Sequence, residues 1–130
     1  MRYISTRDPQ AASASFCDIL LAGLAPDGGL YLPETYPQLS AEQLNRWQDM
    51  LTQHGYAALA AEVLALFIDD IPREDLDGIC ARAYRTPVFS DPEIVPVTCV
   101  NAEENLWLAH LSNGPTAAFK DMAMQLLGEL

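Results

Sequence analysis

The sequence predicts a mixed α/β chain. A helical α+β front part with short strands occupies residues 1–90, and residues 91–130 open a second unit with strands and a helix. Three observations predict this. Apolar residues recur at helical spacing between Ser40 and Tyr84, short β-rich runs replace them after Thr86-Pro87, and Gly or Pro clusters mark the changes.

Arg2 to Ser5 reads as a short strand. Ser13 or Ser15 can cap a helix carrying Phe16, Ile19, Leu20 and Leu24 on one face, with Gly23 as its stop. Ala25-Pro26-Asp27-Gly28-Gly29 is a turn with two residues free to take positive φ. Leu30-Tyr31-Leu32 follows as a strand closed by Pro33. Ser40 with Gln43 forms a capping box, opening a helix with Leu44, Trp47 and Leu51 at helical spacing. Gly55 breaks it, and Tyr56, Leu59, Ala60, Val63, Leu64 and Phe67 form the next apolar stripe. Pro72 suits the first turn of a further helix that points Leu76, Ile79, Cys80, Ala83 and Tyr84 one way. Such stripes are core-facing. A boundary falls at about residues 85–95; Ile94 to Val100 and Leu106 to Leu111 then read as a hairpin around the turn Asn101 to Asn105. The last helix is expected to start near Thr116 or Ala117. Its Ala, Met, Leu and Gln content makes it apolar on nearly all sides and predicts burial. A buried helix needs partners and none follow before Leu130, so the chain is expected to be a piece of a longer one.

Charge narrows the function classes. Eighteen acidic against seven basic side chains give a net charge of −11, which repels nucleic-acid phosphates and anionic lipid, so neither is an expected partner. No apolar run approaches the ~18–20 residues of a membrane span. The beginning of the chain lacks the apolar core of a secretory signal, and a cytoplasmic location is expected. Cys17, Cys80 and Cys99 are spaced without a C-x-x-C pair and read as buried free thiols; His54 and His110 stand alone, and no metal site is expected.

Six arginines stand against a single lysine, Lys120. Burial at the head of an apolar helix disfavours the charged form of an amine, and a neutral amine beside an aldehyde condenses with it. Phe119 can offer an aromatic face to a planar ring, Gly114-Pro115 permits a tight strand-to-helix turn, Thr116 can cap the helix and Asp121 complements its dipole. By spacing alone, a lysine followed by an aspartate near a helix start is more commonly a solvated pair.

The segment Gly114-Pro115-Thr116-Ala117-Ala118-Phe119-Lys120-Asp121 resembles the cofactor-lysine motif of threonine synthases, and Met124-Gln125-Leu126-Leu127-Gly128 continues the likeness. Arg2-Tyr3-Ile4-Ser5-Thr6-Arg7 and Gly23 through Pro33 are similar to the beginning of the same family. The resemblance spans essentially the whole chain. It implies a fold-type II pyridoxal-phosphate enzyme that converts O-phosphohomoserine and water into threonine and phosphate. Residues 1–90 would be the front domain and 91–130 the start of the catalytic domain. Lys120 would bond pyridoxal 5'-phosphate and shuttle protons once freed, and Phe119 would pack on the cofactor.

Two departures stand out. Leu111-Ser112-Asn113 replaces the family's usual Leu-Phe-His, with Asn113 still able to donate a hydrogen bond. The glycine-rich loop that cradles the cofactor phosphate is absent, and Gly28-Gly29 does not replace it, so the 130-residue chain alone is expected to be inactive and not to hold the cofactor. Its last helix, exposing Met122, Met124, Leu126 and Leu127, would favour self-association. A related phospho-lyase and a stand-alone interaction domain are the alternative readings.

Overall fold

Helices and antiparallel strand pairs alternate along the computed structural model, which describes residues 1–8, 10 and 12–130. The order is β1 (Tyr3–Ser5), α1 (Phe16–Ala22), β2 (Tyr31–Pro33), α2 (Ala41–Leu64), α3 (Arg73–Ala83), β3 (Val97–Asn101), β4 (Leu106–Ala109) and α4 (Asp121–Leu127). The mixed α+β character is the one expected from the sequence.

β1 and β2 pair with Tyr3 opposite Pro33, Ile4 opposite Leu32 and Ser5 opposite Tyr31. The glycines before β2 serve different needs. Gly28 has φ 77°, a left-handed backbone that glycine adopts without steric cost. At Gly29 a Cβ would lie 2.3 Å from the Ser5 hydroxyl oxygen, so only the absence of a side chain lets the turn close on β1. The Asp27 carboxylate accepts from the Ser5 hydroxyl at 2.8 and 2.9 Å and from the Gly29 N–H at 2.8 Å, which ties the turn to the strand. The Tyr3 hydroxyl donates to the Phe67 carbonyl at 2.8 Å and anchors this sheet beyond the end of α2.

Of the two candidate caps, Ser15 caps α1, in a reciprocal box with Asp18, and Gly23 ends it at φ 75°. Leu24 lies past that stop and is exposed, so it does not extend the apolar face. Ser40 accepts from the Gln43 N–H at 3.1 Å. The Gln43 side chain turns to Arg46, which leaves only half of the expected box. Gly55, at φ 81° and ψ −177°, interrupts the helical geometry inside α2. In the first half of α2 Trp47 is buried, while Leu44 and Leu51 are exposed. In the second half the innermost residue is Ala61, outside the expected stripe; Tyr56, Ala60 and Leu64, with Phe67 past the helix end, pack half-buried against the core.

α3 presents the most complete buried face. Leu76, Ile79, Cys80 and Ala83, with Tyr84 just beyond, are all buried as their spacing requires. Pro72 stands at the N-cap, one position before the first turn. Arg73 bridges Glu62 of α2 at 2.5 Å and Asp77 at 2.8 Å. Around this face gather Ala61, Ile68, Phe89 and Ile94, with Phe89, Leu76 and Cys80 the largest fully buried side chains. Burial pushes the Cys80 thiol up to about 11. The expectation of three buried thiols holds for Cys80 alone, since Cys17 is half-buried and Cys99 exposed.

β3 and β4 form the expected hairpin, with Val97 opposite Ala109 and Cys99 opposite Trp107. It starts three residues later than the sequence suggests, because Ile94 holds φ 63° and cannot be extended. Most of its side chains face solvent, including Val97, Val100, Leu106, Trp107 and Leu108, which is why Cys99 is not buried. Among the described residues, no helix is long and apolar enough to cross a membrane.

The fold depends most on the ring that fills the space beside α3. Replacing Phe89 with Ala is expected to lower unfolding free energy by about 3–5 kcal/mol, read as a reduced urea midpoint at unchanged slope.

Candidate functional site

Past β4 the chain is stitched back to the core segment. The Asn113 carbonyl accepts from the Ser90 N–H at 2.8 Å and from its hydroxyl at 3.2 Å, and the Asn113 amide donates to the Ile94 carbonyl at 3.5 Å. Asn113 therefore does make the hydrogen bond that its side chain allows, to the backbone of its own chain. The Gly114 carbonyl then accepts from the Ala117 N–H at 3.1 Å, closing a tight turn.

The helix begins at Asp121, not at Thr116 or Ala117. Ala117 sits at φ 56°, a left-handed conformation that costs a residue with a Cβ roughly 1–2 kcal/mol and cannot continue a right-handed helix. The expected capping is also inverted. Thr116 caps nothing; it donates its N–H to Asp121 Oδ2 and its hydroxyl to Oδ1, both at 2.8 Å. Lys120, in helical dihedrals, stands at the N-cap without a side-chain cap bond.

Asp121 is 4% exposed, a buried carboxylate at the start of an apolar helix. Gly114 makes this possible, because a Cβ there would lie 2.4 Å from the Asp121 Cβ and 2.6 Å from Oδ2. Burial pushes the carboxyl up, yet the hydrogen bonds from the Thr116 hydroxyl and N–H and from the Ala118 backbone outweigh it and hold the group below the usual carboxylate range. Asp27 is likewise held low, first by the Gly29 N–H and then by the Ser5 hydroxyl.

Between these anchors lie the residues singled out in the sequence. Lys120 is exposed, which corrects the expectation of a buried amine. The pair Lys120-Asp121 is not a solvated ion pair either. The aspartate is turned inward to Thr116, and among the described residues Lys120 takes part in no ion pair. Phe119 beside it is 73% exposed and covers nothing. α4 is one-sided and not buried all round: Met122 and Leu126 pack on the core, while Met124 and Leu127 are exposed. The Tyr84 hydroxyl donates to the Met122 carbonyl at 2.9 Å, and Arg82 pairs with Glu129 at 2.6 Å, so α3 holds the helix that follows the lysine.

Sequence reasoning missed two of these residues. The sequence suggests a dipole partner in Asp121 and a turn former in Gly114, whereas together they are acceptor and cradle. The available signal was an isolated carboxylate at the head of an otherwise apolar helix, five residues after a threonine and seven after a glycine.

A family profile described as threonine synthase N terminus matches residues 2–84. The chain belongs to the threonine synthase family. The threonine synthase of Corynebacterium glutamicum is 65% identical over 130 residues, which cover all of this chain and 27% of that protein. A solved pyridoxal-phosphate-bound threonine synthase from Brucella melitensis superposes with a TM-score of 0.85 at 42% identity, covering 99% of this chain and 26% of that one. The threonine synthase from yeast superposes with a TM-score of 0.83 at 33% identity, covering 98% and 25%. The chain thus spans about a quarter of the length of these threonine synthase relatives.

Two outcomes follow from the geometry. Gly114→Ala is expected to cost about 1–3 kcal/mol by forcing Asp121 from its seat, measured by urea unfolding; an unchanged midpoint would contradict the close approach. Asp27 and Asp121 titrate below their unfolded value of about 3.9. Their stabilisation is therefore complete above that pH and is lost as pH falls through the depressed folded values. Unfolding midpoints taken below about pH 4 should fall less steeply for Asp27→Asn or Asp121→Asn than for the wild type.

Proposed function

We propose that the polypeptide carrying this segment is a threonine synthase, a pyridoxal-phosphate-dependent lyase that converts O-phosphohomoserine and water into threonine and phosphate. In this reading Lys120 bonds the cofactor and Phe119 packs beside it. The observation that carries it is a single lysine, exposed and in no ion pair among the described residues, beside a carboxylate that is bonded to Thr116 instead. A surface lysine serving solubility has no need of a buried carboxylate, a strained alanine and a side-chain-free glycine to place it.

The residues present fit one half of the cofactor. The exposed Lys120 amine would suit its aldehyde, and the exposed Phe119 ring would suit its planar face. Among the described residues no arginine is left unbonded to cradle its phosphate. Each of the six arginines is already bonded to a carboxylate, an amide or hydroxyl oxygen or a backbone carbonyl of this chain. The phosphate cradle and the substrate ligands are assigned to the remaining length that the relatives possess, and the segment alone is expected to be inactive. When bound, the cofactor supplies an electron sink for charge developing on the substrate carbons. Lys120 Nζ would hold the cofactor and would carry protons at the α- and β-carbons of the substrate. Loss of phosphate from the γ-carbon and addition of water at the β-carbon complete the reaction.

The division of the chain follows the same reading, with residues 1–90 as front domain and 91–130 as the start of the catalytic domain. The end of the family profile at residue 84 supports it. Ile94, Val95, Met122 and Leu126 pack across that division, beside the Ser90–Asn113, Tyr84–Met122 and Arg82–Glu129 bonds.

The test uses the whole polypeptide. Borohydride treatment with pyridoxal phosphate should fix the cofactor on Lys120, and Lys120→Ala should lose both the fixation and the release of threonine and phosphate from O-phosphohomoserine. Fixation at another residue, or an active Lys120→Ala enzyme, would refute the role.

A further inference from the structure

Lys120 lies between two points that are fastened to each other. Asp121, immediately after it, is buried and accepts both donors of Thr116, so the chain from Thr116 to Asp121 is closed into a ring by two 2.8 Å bonds. A Cβ on Gly114 would lie 2.6 Å from Oδ2 of the same carboxylate, so the turn closes only over a residue without a side chain, and Ala117 in the left-handed region gives the enclosed stretch its bend. Ahead of the ring, Asn113 is bonded to Ser90; behind it, the Met122 carbonyl is bonded to Tyr84. Each carboxylate oxygen accepts from Thr116, and among the described residues Lys120 makes no ion pair with it. The aspartate therefore fixes the lysine backbone without neutralising its side chain.

We propose that Asp121 is a positioning residue for Lys120, whose bidentate bond to Thr116 sets where the lysine delivers its amine to the cofactor aldehyde. This rests on the proposed function above. Asp121 does not touch the cofactor; it acts through the loop. An amine that must reach a ring held by other groups tolerates little drift at its own Cα, and a misplacement of about 1 Å is enough to cost on the order of 100-fold in rate.

The experiment uses the whole polypeptide with pyridoxal phosphate. Asp121→Leu keeps roughly the size of the side chain but accepts neither Thr116 donor. It should still permit borohydride fixation on Lys120, while the visible absorbance of the lysine-bound cofactor weakens or shifts. The expected fall in kcat is on the order of 10- to 100-fold, with KM for O-phosphohomoserine changed little. Thr116→Val should move the band and kcat in the same direction, and Thr116→Ser, which retains the hydroxyl, should recover both to within about threefold.

An Asp121→Leu enzyme with unaltered band and kcat, but a lower urea midpoint, would show a purely structural role and overturn the proposal. So would a Thr116→Ser enzyme that behaves like Thr116→Val, a comparison that decides the matter even if Asp121→Leu does not fold. Failure of the wild type to fix the cofactor on Lys120 would instead sink the proposed function itself. The two failures are thereby distinguished.

Discussion

Burial of one face of α3 is the constraint on which the remaining structure depends. Leu76, Ile79, Cys80 and Ala83 are withdrawn from water between α2, Phe89 and α4, and each large aliphatic or aromatic side chain so buried contributes about 1.5–3 kcal/mol. Tyr84 extends that face. Its ring packs edge-on against Tyr56, with centroids 5.0 Å apart, and against Phe89 at 6.0 Å. Its hydroxyl reaches the Met122 carbonyl, so one residue couples the apolar core to the first turn of α4. The Arg82–Glu129 pair reinforces the same attachment, but as an exposed contact it adds little. The position of the lysine loop is thus set by packing laid down earlier in the chain.

What could be read in the sequence was whatever had a local cause. The glycines at 23, 28 and 55, the caps at Ser15 and Ser40, and the α3 stripe each follow from neighbours a few residues away, and each forms. The stripe before Gly55 was less legible, because periodicity shows which residues share a face but not whether anything covers it; Leu44 and Leu51 share one with Trp47 and stay exposed. Ala61 was overlooked since a small side chain gives a weak apolar signal, although small residues are what allow helices to approach closely. At the site, residue types located the lysine and the aromatic beside it. Composition exaggerated the burial of α4, and with it that of Lys120. The Thr116–Asp121 contact depends on the left-handed turn at Ala117, which no propensity of alanine announces.

The distribution of positive charge gives the lysine its distinctiveness. In a chain with net charge −11, each of the six arginines is engaged: with carboxylates at Arg46, Arg73 and Arg82, and with backbone carbonyls at Arg2, Arg7 and Arg85. A guanidinium is permanently charged and forked, which suits structural bonding. An ammonium can shed its proton and react. The division of labour between the two residue types follows their chemistry.

The closed ring from Thr116 to Asp121 also bears on how such chains can diverge in length. A residue gained or lost inside it would turn the threonine donors away from the carboxylate and rotate everything that follows about the helix axis. The hairpin tip from Asn101 to Asn105 stands in solvent, organised chiefly by the Asn101 side chain accepting from Glu103 and Glu104. Insertions there disturb nothing beyond the turn. Length variation among relatives should therefore collect at the tip of the hairpin and stop at the threonine.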